Sequence, residues 1–153
     1  MNDSPVATLS LIMVLAGIGI PVMAALNGGL GARLGNPVQA ATLLFALALG
    51  VSVLVLVSQS KPIAYNLQAV PPQYFLGGLF VAFYVLSVTS IAPKIGVGNA
   101  IVLVLLGQTL ASAIIDHYGW LGAQQTSLST SRGIGLLLIL SGVLLARRSI
   151  NNE

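Results

Sequence analysis

Long apolar runs alternate with short polar or proline- and glycine-marked breaks along almost the whole chain. A helix needs roughly 20 mostly apolar residues to cross the hydrocarbon core of a bilayer. By that measure the pattern predicts five transmembrane helices, over 6–30, 37–57, 72–92, 99–115 and 130–146, the last being the shortest. The breaks carry their own signals. Asn36-Pro37 reads as an N-cap followed by proline at the first helical position, and Pro71-Pro72 opens the third run in the same way. Pro93, with Gly96 and Gly98, separates the third run from the fourth. Polar linkers of any length occur only at 58–70 and 117–129. Tyr65, Tyr74, Tyr118 and Trp120 fall near run ends, where amphipathic rings sit at the headgroup level. No repeat or second domain is visible, so 1–153 reads as a single transmembrane domain. The N-terminal MNDSPVATLS lacks the basic region of a secretory signal, so the first run is expected to be retained as a span.

Composition sharpens this picture. The 153 residues are 56% hydrophobic and 6% charged, with a mean hydropathy of +0.98, whereas an ordinary soluble domain is about a quarter charged. So few ionised side chains could not clothe a soluble surface; this is the composition of an integral all-α membrane protein. The net charge of +3 rests on six dispersed basic residues, which form no patch able to follow a phosphate backbone, so nucleic acid is not an expected partner. The chain has no cysteine and one histidine. Disulfides, thiol chemistry and a metal site are not expected, nor is a cofactor. Asp116 and His117 are neighbours and diverge by about 100° on a helix, so they form no catalytic dyad, and no serine lies in a nucleophile motif. The chain does not read as an enzyme.

Five spans put the termini on opposite sides of the membrane. Arg33, Lys94, Arg147 and Arg148 then share one side, with Lys61 and Arg132 on the other. The positive-inside rule favours a cytoplasmic C-terminus, but a split of four to two leaves insertion both ways up open. Many carriers bind substrate between two repeats of opposite orientation. This chain holds one such repeat, and an inverted second copy would give ten helices.

The polar residues inside the runs are the candidates for a transport pathway. Pro21, in GIGIPVMAALNGGLG, removes a backbone hydrogen bond, and the carbonyl it frees needs another partner or a cavity; either a pathway kink or a packing kink follows. Asn27 is the deepest polar side chain of that run. Gln39, Thr42 and Ala46 share a face of the second helix, and Phe80, Tyr84 and Ser87 one of the third. Tyr84 lies in mid-span, where its hydroxyl must find a partner, structural or in a substrate cavity. Gln108, Ser112 and Asp116 are spaced i, i+4, i+8 and form one stripe on the fourth helix. That stripe either lines a path or joins helices by hydrogen bonds. Asp116 lies about 17 residues, or roughly 26 Å, from the start of its helix. It is therefore expected at the interface, pairing with Arg132 or capping a helix rather than meeting substrate. On the fifth helix Gly135, Ser141 and Gly142 make a small-residue stripe suited to a dimer seam, bracketed by Arg132, Arg147 and Arg148.

The runs GQTLASAIIDHYGWLG and SLSTSRGIGLLLILSGVLLARR resemble the YdcZ-type family of small bacterial inner-membrane proteins, within the drug/metabolite transporter superfamily. The Asp-His-aromatic-Gly-Trp turn and the Leu-Ser-x-x-Arg-x-x-Gly entry to the last helix carry the likeness. The resemblance implies a multi-pass protein of the inner membrane and half-size transporters that work as antiparallel homodimers or as pairs of oppositely inserted homologues. The last helix is also similar to that of the small multidrug resistance proteins, which dimerise through it. Those exporters hold a glutamate in the first helix, whereas this chain has no acid there, which argues against proton-coupled export of cations by that route. The expected function is a carrier that moves a small neutral or zwitterionic solute by alternating access as an antiparallel dimer, in contact with membrane lipid. The alternatives are a dual-topology channel, or a non-transporting subunit that needs a paired homologue.

Overall fold

In the computed structural model, which describes residues 4–59 and 67–150, the described chain is helical with no strand. The helices are α1 (Ser4–Leu34), α2 (Pro37–Ser58), α3 (Leu76–Ile95), α4 (Val97–Tyr118) and α5 (Thr130–Ile150). Short 3-10 turns lie at Leu67–Ala69, Pro72–Phe75 and Trp120–Gly122. Four helices are long and apolar enough to cross a membrane, and the apolar part of the fifth is shorter, Thr130–Val143 among the described residues. Five helices are present, and the last is the shortest in its apolar part, as its run in the sequence is. α5 has the backbone length, 21 residues, but its first turn holds Ser131 and Arg132. The expectations for Lys61 and Tyr65 fall outside the described residues.

The α1–α2 connection is two residues long. Gly35 takes φ +64°, its N–H bonds to the Ala32 carbonyl at 3.3 Å, and the Asn36 N–H bonds to the Gly31 carbonyl at 3.1 Å. This Schellman closure satisfies carbonyls that the helix end would leave bare, and glycine supplies the left-handed residue without a Cβ penalty. Asn36 then serves the next helix: its Oδ1 accepts from the N–H groups of Val38 (2.9 Å) and Gln39 (3.3 Å), with Pro37 at the first helical position. The cap expected from sequence is in place.

The break between α3 and α4 differs from the expected one. α3 continues through Pro93 to Ile95, and the chain turns at Gly96, φ 87°. A proline in the last turn removes one hydrogen bond, to the Thr89 carbonyl, yet its fixed φ is helical. Ending the helix takes a positive φ, which Gly96 provides.

The described residues group into two compact units, one within Met1–Val97 and one within Gly98–Glu153. In the first, α1, α2 and α3 all touch one another. Its buried positions are Ala24, Asn27, Gly28 and Gly31 on α1, Ala40 and Ala41 on α2, and Val85, Val88, Thr89 and Ala92 on α3. Lipid tails are as apolar as leucine, so helices associate in a bilayer by close backbone packing and hydrogen bonds, which small residues allow. A Cβ on Gly28 would lie 3.1 Å from Pro93 Cγ, and one on Gly31 3.1 Å from Pro37 Cα. All these positions cluster where α1 ends, α2 begins and α3 ends. At the other end, residues 6–19 of α1, 46–59 through the end of α2 and 68–81 leading into α3 are exposed without exception.

In the second unit, α4 ends at Tyr118 and the chain reverses through Gly119 (φ 64°), Leu121 (φ 58°) and Gly122 (φ 79°). The returning strand of loop is tied to the helix end. Thr126 N–H bonds to the Asp116 carbonyl at 2.8 Å. Gln125 Nε2 donates to the His117 carbonyl at 3.2 Å, and Leu128 N–H to His117 Nδ1 at 3.2 Å. Ser129 Oγ accepts from the Arg132 N–H at 3.2 Å and so starts α5 as a cap would.

Candidate functional site

The most deeply placed polar contact in the first unit joins α1 to α3. Asn27 is 4% exposed and Thr89 2%, and Asn27 Nδ2 donates to Thr89 Oγ1 at 2.6 Å. Asn27 lies six residues before Arg33, and Thr89 five before Lys94. At 1.5 Å per residue these offsets are roughly 9 and 8 Å, so both groups stand at one depth below the same basic border. Sequence reasoning picked Asn27 and missed Thr89. The signal was its spacing: Thr89 shares a helical face with Val85 and Ala92, and it lies four residues before Pro93, so its carbonyl loses the usual in-helix donor.

Asn27 also borders a groove of about 290 Å³ between α1 and α2, lined otherwise by Met23, Leu26, Leu30, Leu43, Leu44 and Leu47. A second groove of about 350 Å³ is lined by Leu34, Val38, Gln39, Thr42 and Leu43. Leu43 belongs to both, so the two form neighbouring stretches along one helix pair. The structure thereby brings Asn27, Gln39 and Thr42 to one side of the first unit. Thr42 Oγ1 donates to the Val38 carbonyl at 2.9 Å, which satisfies its proton within its own helix. Gln39 is exposed near the start of α2.

Pro21 is half-buried inside an unbroken α1, and the carbonyl it deprives of a donor is that of Gly17, on the exposed stretch. Tyr84 is half-buried on α3. Its Oη is buried with no hydrogen-bond partner among the described residues.

In the second unit, Asp116 Oδ2 accepts from Arg132 Nη2, one of the two interfacial roles expected for it. The two side chains are 33% and 31% exposed. Gln108 is exposed at the middle of the 22-residue α4. Ser112 is exposed too, with its hydroxyl donating to the Thr109 carbonyl at 3.0 Å. The stripe of Gln108, Ser112 and Asp116 is therefore on the helix as spaced, but among the described residues only Asp116 of the three meets a side-chain partner. On α5, Gly135 is half-buried, and Ser141 and Gly142 are exposed. Added Cβ atoms at both glycines would meet nothing within 4 Å, and Ser141 Oγ donates to the Leu137 carbonyl at 2.7 Å.

Among the described residues no group of three or more His, Cys, Asp or Glu could hold a metal ion. No curated protein and no solved structure matches the chain. The family model described as "Putative inner membrane exporter, YdcZ" matches residues 8–145, a stretch that runs from the first turns of α1 into α5. With that match the chain belongs to the YdcZ family and is a multi-pass protein of the inner membrane.

Proposed function

We propose that the chain is one half of a carrier that moves a small neutral or zwitterionic solute by alternating access, completed by a second copy inserted the opposite way up. The single observation that carries this reading is the asymmetry of the first unit. Three helices pack closely at one end around Asn27 and Thr89, and at the other end the same three helices do not bury one another's residues. A polar pair at the packed end of the unit, beside an open groove and opposite helix ends that do not close on one another, is what half of an inverted-repeat carrier would present. Gln108 adds support: an exposed carboxamide in mid-span is costly in lipid, and a facing helix or a solute path relieves that cost. Outward movement is the direction that the family's description, "Putative inner membrane exporter, YdcZ", favours.

The solute class follows from the groups available. Asp116 is the only acid in the described helices; it ends α4 and is paired with Arg132. The first unit offers amides, hydroxyls and carbonyls. A strongly charged solute would enter such a site without a counter-charge, whereas a neutral or internally balanced one would not need it.

The test is reconstitution. A thermal-shift screen of neutral and zwitterionic solutes on purified protein selects a ligand, and proteoliposomes then measure counterflow with it. The expected result is that unlabelled solute inside the vesicles accelerates entry of labelled solute. Flux orders of magnitude above carrier rates without counterflow would establish a channel instead. Uptake of cationic drugs driven by a pH gradient, abolished only by loss of a carboxylate, would also overturn the reading.

A further inference from the structure

The proposed carrier role leaves open what kind of solute the first unit takes, and the chemistry around Asn27 narrows it. Six of the seven residues on the groove wall are leucine or methionine, and Asn27 is the one polar residue. One proton of its carboxamide nitrogen is committed to Thr89. That bond fixes the orientation of the amide and leaves its oxygen as the strong acceptor it can turn to a ligand. The polar point of the site is thus a single carboxamide oxygen, which carries no formal charge and sits at the wall of an otherwise apolar groove.

A carboxamide oxygen at that wall calls for a donor on the ligand. The absence of an acid at the groove makes an ammonium donor unfavourable, because its charge would be desolvated without a partner. The volume of about 290 Å³ stands at the small end of ligand pockets. At the roughly 30 Å³ a water molecule occupies in the liquid, it holds about ten non-hydrogen atoms.

We propose that the groove between α1 and α2 binds a slender neutral amphiphile whose hydroxyl or amide N–H donates to Asn27, with Thr89 as the positioning residue that presents the carboxamide. This rests on the carrier reading for its purpose, but the binding itself does not require transport. It separates the roles of the two residues. Asn27 touches the ligand, and Thr89 acts through Asn27. The adjoining groove with Gln39 and Thr42 continues the track toward the α1–α2 turn, so the polar end of a ligand leaving Asn27 meets further amide and hydroxyl groups there.

The experiment uses a photoreactive diazirine analogue of 1-decanol and the methyl ether of the same molecule, with the full chain in nanodiscs and labelled peptides mapped by mass spectrometry. The ether keeps the apolar body and loses the donor. The alcohol is expected to label the segments holding Met23, Leu26, Leu43 and Leu47 about fivefold more than the ether does, the ratio one hydrogen bond gives. Asn27→Leu should bring that ratio to unity while ether labelling persists, which reports that the groove is still formed. Thr89→Val should lower the ratio and Thr89→Ser restore it, a pattern that mere destabilisation by Thr89→Val would not give. Should Asn27→Leu fail to fold, Leu43→Trp fills the groove with the Asn27–Thr89 bond left in place, and labelling by both probes should fall. Equal labelling by alcohol and ether would mean a groove that any chain occupies, a lipid tail included, and would overturn the proposal. So would a preference that survives Asn27→Leu. Donor-dependent labelling without counterflow would sink the carrier reading and leave this site standing; counterflow without it would do the reverse.

Discussion

The two ends of the α1–α3 unit are made of the same three helices, and they differ in almost every physical respect. At the end holding the α1–α2 turn, helices meet through alanine and glycine, and an added Cβ at Gly28 or Gly31 would press against a neighbour at 3.1 Å. At the other end, Gly17 and Gly19 have nothing within 4 Å of an added Cβ, and leucines such as Leu9, Leu47 and Leu54 are 63%, 74% and 71% exposed. Polar side chains follow the same division. Asn27 and Thr89 at the packed end spend hydrogen bonds on each other, whereas Ser52 at the bare end turns its proton back to the Leu49 carbonyl at 2.9 Å. A hydroxyl that closes on its own helix can face lipid; a carboxamide needs a partner from another helix. The comparison teaches that packing within this unit secures one end only, and that the other end is open to lipid, to other helices or to the proposed inverted copy.

The largest expected difference between the ends comes from adding bulk. Gly28→Leu forces α1 away from Pro93, and its thermal unfolding in detergent should show a loss of about 2–3 kcal/mol. Gly17→Leu should stay within about 0.5 kcal/mol. Similar losses from both would erase the contrast. Next comes the polar pair. Asn27→Leu and Thr89→Val, taken singly and together, form a double-mutant cycle whose coupling should be about 1 kcal/mol, in the range found for buried interhelical bonds in membranes. A coupling near zero would mean the two side chains do not act together. A smaller effect is expected outside this unit. Asp116→Asn removes the charge of a part-exposed ion pair with Arg132 and should cost about 0.5 kcal/mol, less at high salt. The smallest is Ser52→Ala, expected to change stability by no more than about 0.5 kcal/mol, because its hydroxyl touches only its own helix.

How much of this was legible in the sequence depends on whether the cause was local. The cap at Asn36-Pro37 follows from residues within one turn and stands where the pattern put it, whereas α4 closes at Tyr118, three residues past the expected end. Pairing of Asp116 with Arg132 was within reach because one acid and one base lie on either side of a short linker. The end of α3 was misplaced by a proline that the helix absorbs; only the sign of φ at Gly96 decides that boundary. Thr89 was invisible for a different reason. A threonine in an apolar run is most often bonded to its own helix, as Thr42 and Thr109 are. That Thr89 faces an asparagine 62 residues away is a property of how α1 and α3 pack, which no window of sequence contains. The stripe of Gln108, Ser112 and Asp116 was legible as a pattern, yet its meaning depends on what lies against it.

The claim that the bare ends are completed by an inverted second copy is tested most directly by asking which way up the protein sits. The chain has no cysteine, so a single Gln124→Cys in the exposed α4–α5 loop reports orientation without background. With a membrane-impermeant maleimide applied first to sealed cells and then after the membrane is opened, the account predicts comparable labelling from each face. Labelling from one face alone would place every copy the same way up and contradict it.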